Sequence, residues 1–279
     1  MRRFMTILSV SLALAIASSA SAERPRAGDR YVAMGSSFAA GPGVGRRDPA
    51  SGRCQRSFDN YAQLLARKRK LALTDVSCGG ATTAHILGPW QALPPQIDAV
   101  TADTKLVTIT IGGNDLRYIG NMMMAVCGFA PRPAGSTRKC PEPRWPSDAD
   151  LATVERQLRL IAAGVRQRAP KAKVIFVDYL TVLPPRGTCA VTKLTAEEAD
   201  EARSVAKRLA AVTAQAARRE GADVLKASRL SKRHHACSAK PWTNGLANLE
   251  DLRSGRAVYH PNDAGMAAIA EALDRRLRR

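Results

Sequence analysis

The run Leu106–Ile111, LVTITI, constrains the fold more than any other stretch of the chain. It is continuous and rich in β-branched residues, which suits a parallel strand buried on both faces. It ends abruptly at Gly112-Gly113-Asn114-Asp115. Four further runs have the length of buried strands: Tyr31–Met34, Leu71–Val76, Lys173–Tyr179 and Ala222–Ala227. Helical patterns lie between them. Residues 58–70 place Tyr61, Leu64 and Leu65 on one face, and Ser147-Asp148-Ala149-Asp150 reads as a capping box. The helix after that box repeats Leu151, Val154, Leu158, Ile161 and Val165 at core-facing spacing. Thr195-Ala196-Glu197-Glu198 heads another long helix, and Asn262 can cap a last one. Strands alternating with helices predict an α/β fold with a mostly parallel five-stranded sheet covered on both faces. In such sheets ligands bind beyond the carboxyl ends of the strands.

The N-terminus is read separately. Arg2 and Arg3 precede an apolar stretch from Phe4 to Ala17, and Ala20-Ser21-Ala22 supplies a small-residue cleavage site. Residues 1–22 therefore read as a secretory signal peptide cut before Glu23. Residues 23–279 are expected to form one domain, secreted to the extracellular space or periplasm. No later apolar run approaches the roughly 20 residues that span a bilayer.

The full chain has a net charge of +19. That balance favours transient association with anionic lipid or polysaccharide surfaces. The densest basic run, Arg67-Lys68-Arg69-Lys70, reads as the solvated C-terminal end of a helix, where cations meet the negative pole of the helix dipole. It lacks interleaved aromatics, so specific nucleic-acid binding is not expected. A monomer is. Six cysteines in an exported chain imply disulfides, and six allow many connectivities. The expected set is sequential, Cys54–Cys78, Cys127–Cys140 and Cys189–Cys237, each stapling a loop-rich insertion. One insertion, residues 122–146, carries Pro131, Pro133, Pro141, Pro143 and Pro146 and reads as irregular. No CxxC occurs and His234-His235 stands alone, so no metal site is expected. The loop Gly41-Pro42-Gly43-Val44-Gly45 lacks the GK[ST] ending of a phosphate loop.

Three of the strand-end turns carry chemistry. Tyr31–Met34 breaks into Gly35-Ser36-Ser37, the second strand into Ser77-Cys78-Gly79-Gly80, the third into the Asn114 turn. A serine hydroxyl is a weak nucleophile until a base takes its proton, and histidine is the usual base. His260, in Tyr259-His260-Pro261-Asn262 just before the last helix, can enter that cleft from a loop. Attack on a carbonyl places negative charge on its oxygen, and preorganised donors there are worth roughly 3–4 kcal/mol each. The N–H groups of Ser37 and Gly80 and the amide of Asn114 can supply three. Singly, each residue also has a structural explanation: Gly80 serves a turn, Asn114 caps a helix, His260 packs a loop.

The ordered set Gly35-Ser36-Ser37, Gly80, Gly112-Gly113-Asn114-Asp115 and His260-Pro261-Asn262 resembles the four blocks of the SGNH (GDSL) hydrolase superfamily. The six-cysteine layout and Phe38-Ala39-Ala40-Gly41 are similar to its secreted actinomycete-type lipases and esterases. The resemblance implies a flavodoxin-like three-layer α/β/α fold and hydrolysis of carboxylic esters through an acyl-enzyme, with no metal or cofactor. It implies Ser37 as nucleophile, Ser37, Gly80 and Asn114 as oxyanion donors, and His260 as general base. No GxSxG occurs, which argues against the α/β-hydrolase fold.

The sequence departs from the family pattern twice. Ser36 stands where the family has Asp. Ala257 stands where an Asp usually orients the catalytic histidine. The expectation is a Ser37–His260 dyad whose Nδ1–H is held by the backbone carbonyl of Ala257, with Asp251 or Asp263 swinging in as the competing arrangement. The substrate is a lipid or short-chain acyl ester, with Trp90, Trp145, Trp242 and Phe129 as candidate pocket walls. A polysaccharide O-acetyl esterase or phospholipase of the same fold is the alternative. The rival classes are an exported binding module that has lost turnover, for which Ala257 argues, and a basic cell-surface or nucleic-acid-binding protein, for which only charge argues.

Overall fold

The computed structural model describes residues 24–127, 139–246, 248, 250–251 and 257–278. The expected signal peptide, Phe129, Pro131 and Pro133 lie outside the described residues. Five strands form one sheet: β1 (Arg30–Gly35), β2 (Ala72–Asp75), β3 (Thr104–Thr110), β4 (Lys173–Val177) and β5 (Asp223–Leu225). Their order is β2-β1-β3-β4-β5 and every pair is parallel. The strand order reverses direction at β1, so the carboxyl ends of β1 and β3 border the natural binding crevice.

Helices cover the sheet in two groups, giving the three-layer sandwich. Helix α2 (Tyr61–Arg69) packs on the last helix, α8 (Asp263–Arg278). The other group joins α3 (Thr83–Leu87), α4 (Tyr118–Ala125), α5 (Asp148–Arg168) and α6 (Ala196–Arg219). The short helices α1 (Ser37–Ala40) and α7 (Ala227–Leu230) follow β1 and β5. The expected stripe of α5 is buried, and both capping boxes form, Ser147 with Asp150 and Thr195 with Glu198. Two buried tyrosine hydroxyls are paired inside the core. The Tyr31 hydroxyl meets Thr108 Oγ1 at 2.6 Å, and the Tyr61 hydroxyl meets Thr110 Oγ1 at 2.9 Å.

Two boundaries differ from the sequence reading. Helix α2 starts at Tyr61 rather than near Phe58, because the Asn60 side chain accepts from the N–H groups of Ala62 and Gln63 and ends the preceding loop. Phe58 stays outside, 37% exposed beneath the Arg46 guanidinium. The segment from Met122 was expected to be irregular, yet α4 runs to Ala125 with Tyr118, Ile119 and Met122 buried. Its unbranched methionines are good helix formers. The three disulfides are Cys54–Cys78, Cys127–Cys140 and Cys189–Cys237, as expected.

The basic end of α2 has a specific partner. Asp274 of α8, 2% exposed, accepts from Arg69 at 2.8 Å and Arg278 at 2.7 Å, with Lys68 Nζ at 3.4 Å. Burial pushes the Asp274 carboxyl up, but the bonds from Arg278, Arg69 and Lys68 outweigh it and hold the pKa at about 2. A depressed carboxyl stabilises the fold above its ordinary pKa, and that stabilisation is lost as pH falls through the folded value. Asp274→Asn is therefore expected to lower unfolding free energy at pH 6 by roughly 2 kcal/mol. In urea titrations the gap to wild type should narrow between about pH 4 and pH 2; a gap independent of pH would contradict the ion-pair account.

Candidate active site

Ser37 owes its position to the turn that ends β1. Gly35 has φ +141°, and a Cβ placed there would lie 2.3 Å from the Thr110 carbonyl oxygen. Only glycine lets β1 run this close to β3. Gln96 locks the same peptide units, accepting from Gly35 N at 2.7 Å and donating to Gly35 O at 3.1 Å. Ser36 N then donates to Thr110 O at 2.9 Å, and the chain turns into α1 with Ser37 as its first residue. At that position the backbone N–H has no intrahelical partner. Among the described residues nothing accepts it. Ser36, buried, points its hydroxyl inward to Tyr179 Oη at 3.3 Å.

His260 arrives from the other end of the chain. Its Nε2 lies 2.8 Å from Ser37 Oγ. Its Nδ1 lies 2.8 Å from the carbonyl oxygen of Val258. A carbonyl only accepts, so Nδ1 carries the proton and Nε2 offers its lone pair to the serine hydroxyl. Desolvation lowers the His260 pKa below its ordinary value, against the opposing bond to Val258. The imidazole is thus neutral at pH 7, the state a base requires.

The orienting carbonyl was expected from Ala257, and the structure corrects this by one residue. The Ala257 carbonyl instead accepts from Asn244 Nδ2 at 3.0 Å and from His260 N at 3.3 Å. The reason is local. Tyr259 has φ +61°, and this left-handed residue swings the Val258 carbonyl under the imidazole. Burial of Tyr259 and its hydroxyl bond to the Thr192 carbonyl hold that conformation. Asn244 braces the loop from outside, its N–H donating to His260 O and its carbonyl accepting from Tyr259 N. Asp251 Oδ2 accepts from Asn248 N, and Asp263 begins α8.

Gly80 and Asn114 are brought together across β1. Asn114 Nδ2 donates to the Ala81 carbonyl at 2.8 Å, which places its amide beside Gly80 and leaves a second amide N–H. Asp115 accepts from Thr83 N and from Thr83 Oγ1, fixing the start of α3 to the turn after β3. Gly80 has φ +84°, and its N–H meets no acceptor among the described residues. Gly113 N donates to Tyr179 Oη at 2.8 Å, and a Cβ on Gly113 would press to 2.6 Å from that oxygen. This tyrosine explains Gly113, while Gly112 has φ +103° and would press a Cβ to 3.1 Å from Leu209. Phe38 packs between Tyr179 and the His260 ring, at 4.6 and 5.1 Å.

Tyr179, Gln96 and Asn244 were missed in the sequence. Tyr179 had a signal, since it ends the Lys173–Tyr179 run on the carboxyl side of the sheet. Gln96 and Asn244 had none: each acts on backbone groups more than ten residues away.

Residues 33–268 match the GDSL-like Lipase/Acylhydrolase family. The chain belongs to this family. It is 35% identical to Lipase 2 of Streptomyces coelicolor over 250 residues, covering 86% of this chain and 83% of that protein. The crystal structure of an extracellular lipase from Streptomyces rimosus superposes with a TM-score of 0.70 at 27% identity, covering 88% of this chain and 99% of the other. Phospholipase A1 from Streptomyces albidoflavus gives 0.67 at 27% identity, covering 89% and 99%. As a GDSL-like hydrolase, the protein cleaves carboxylic esters. Its disulfides and the extracellular relative fit a secreted protein.

With Nδ1 on the Val258 carbonyl, the imidazole has an orienting partner that is not a carboxylate. Asp251→Asn and Asp263→Asn are each expected to keep ester turnover within about threefold of wild type; a loss approaching the roughly 10⁴-fold cost of replacing a triad Asp, with folding intact, would assign that role to the carboxylate.

Proposed function

We propose that Ser37 is the nucleophile and His260 the general base of this hydrolase, with the N–H groups of Ser37 and Gly80 and the Asn114 amide receiving the oxyanion. The observation that carries this reading is the 2.8 Å contact between Ser37 Oγ and a His260 Nε2 whose opposite nitrogen is committed to a carbonyl. His260 takes the hydroxyl proton as Ser37 Oγ bonds to the ester carbon. The tetrahedral oxygen takes its negative charge among donors already in place. As the carbon–oxygen bond to the alcohol breaks, His260 returns the proton to the leaving oxygen. Water then attacks the acyl-serine by the same path, releasing the acid and restoring Ser37.

The arrangement needs neither metal nor cofactor. A carbonyl in place of the usual carboxylate holds the tautomer but adds no full charge to stabilise the imidazolium. An exported module without turnover is disfavoured, because Val258 does the orienting that Ala257 was expected to do. Lipid esters are the favoured substrates, supported by the lipase and phospholipase relatives and by the net charge of +19, which suits an anionic lipid surface. The working form in this reading is residues 23–279, a single domain cut after Ala22, exported and acting as a monomer.

A p-nitrophenyl ester series from acetyl to palmitoyl tests the assignment. Ser37→Ala is expected to abolish turnover and labelling by a fluorophosphonate. For the wild type, kcat/KM should rise with pH through a single ionisation below the ordinary histidine pKa of 6.5, because His260 must lose its proton to act and its pKa is lowered. Full activity of Ser37→Ala would refute the nucleophile.

A further inference from the structure

The turn that carries the proposed base holds a conformation its own sequence disfavours. His260 N donates to Ala257 O at 3.3 Å, which closes a four-residue turn over Ala257-Val258-Tyr259-His260. The third residue, Tyr259, has φ +61°, at a position that turns with positive φ usually give to Gly or Asn. The commonest turn has negative φ there, with the peptide between its second and third residues rotated. The Val258 carbonyl belongs to that peptide. Rotating it would withdraw the oxygen that lies 2.8 Å from His260 Nδ1. The turn must therefore be held from outside, since a bulky residue pays energy to stay at positive φ.

One residue outside the turn engages it at three points. Asn244 N donates to His260 O at 2.9 Å, and Asn244 O accepts from Tyr259 N at 3.1 Å. Asn244 Nδ2 donates to Ala257 O at 3.0 Å. The first two are backbone bonds. They belong to a short antiparallel pairing that continues through the Thr243–Pro261 bridge and through Asn262 N to Trp242 O. The third depends on the side chain. It takes the first residue of the turn while the backbone takes the last two, so Asn244 spans the turn from end to end.

Asn244 is itself backed by a neighbouring loop. Leu246 N donates to Val191 O at 2.6 Å, and a Cβ on Gly245 would press to 2.7 Å from Val191 Cβ. The next carbonyl in that loop, Thr192, accepts from the Tyr259 hydroxyl. The Cys189–Cys237 bridge anchors the loop.

We propose that Asn244 is a positioning residue for the general base: its side-chain amide holds Ala257 O and keeps the turn in the form that presents the Val258 carbonyl to His260 Nδ1. This rests on the reading of His260 as the base. Asn244 acts through the turn, because each of these bonds goes to the backbone.

Asn244→Ala removes the side-chain bond and leaves the backbone pairing in place. With p-nitrophenyl butyrate, kcat is expected to fall between about tenfold and about a hundredfold, with KM within about twofold of wild type. The ionisation seen in kcat/KM should also move to lower pH. The Val258 bond raises the His260 pKa against the burial that lowers it, so a ring that has lost the bond protonates less readily. A loss of stability alone would move neither that profile nor kcat per folded molecule. Asn244→Asp keeps the shape but loses the donor, and it carries the kcat test if Asn244→Ala does not fold; the same fall is expected. Unchanged kcat in either folded variant overturns the proposal, as does a reduced kcat in Asn244→Ala with the ionisation of wild type. His260→Ala separates the two readings. Wild-type turnover in His260→Ala overturns the base assignment and this proposal with it. An inactive His260→Ala beside a fully active Asn244→Ala overturns this proposal alone.

Discussion

The close approach of β1 to the Thr110 carbonyl is the constraint on which the rest of the site depends. Gly35 has no Cβ, so the strand can end within hydrogen-bond reach of β3 instead of splaying away. Ser36 N can then bind Thr110 O, and the turn into α1 starts at a fixed point. Gln96 closes the opposite side of the same two peptide groups. Any side chain at position 35 must move β1 or β3, and with them the exit direction of Ser37. The serine is placed by backbone geometry, which a packed interior transmits without slack.

The neighbouring turns are tied to one another more than to the sheet. Asn114 reaches Ala81, Asp115 reaches Thr83, and Gly113 reaches Tyr179. The GGND turn is therefore a joint between three strand ends. Its two polar side chains bind different parts of the same loop, Asn114 the Ala81 carbonyl and Asp115 the start of α3 at Thr83. The Cys54–Cys78 bridge, with Gly79 N bonded to Cys54 O, closes that loop from the outside.

This linkage explains how much was legible in the sequence. The strands were readable because burial on both faces leaves a continuous apolar run, and the capping boxes of α5 and α6 because they are local. Three of the four blocks were readable as turns at strand ends of a parallel sheet, and the His260 block through the family resemblance. The identity of the histidine's partner was not. It turns on the left-handed backbone of Tyr259, a conformation that costs a bulky residue energy and is set by Thr192, some 67 residues away. Nothing in the spacing Ala257-Val258-Tyr259-His260 distinguishes one carbonyl from the next. The start of α2 was missed for a milder reason: Phe58 looks like a core residue until Asn60 is seen to cap.

The two side chains proposed to react, Ser37 and His260, are separated by 223 residues in sequence, one following the first strand and one preceding the last helix. His260 meets Ser37 only when the strands that separate them in sequence have formed the sheet and the loop of Tyr259 has docked. A chain still unfolded holds Ser37 and His260 apart. The contact between Ser37 and His260 is thus a product of the completed fold rather than of any local segment.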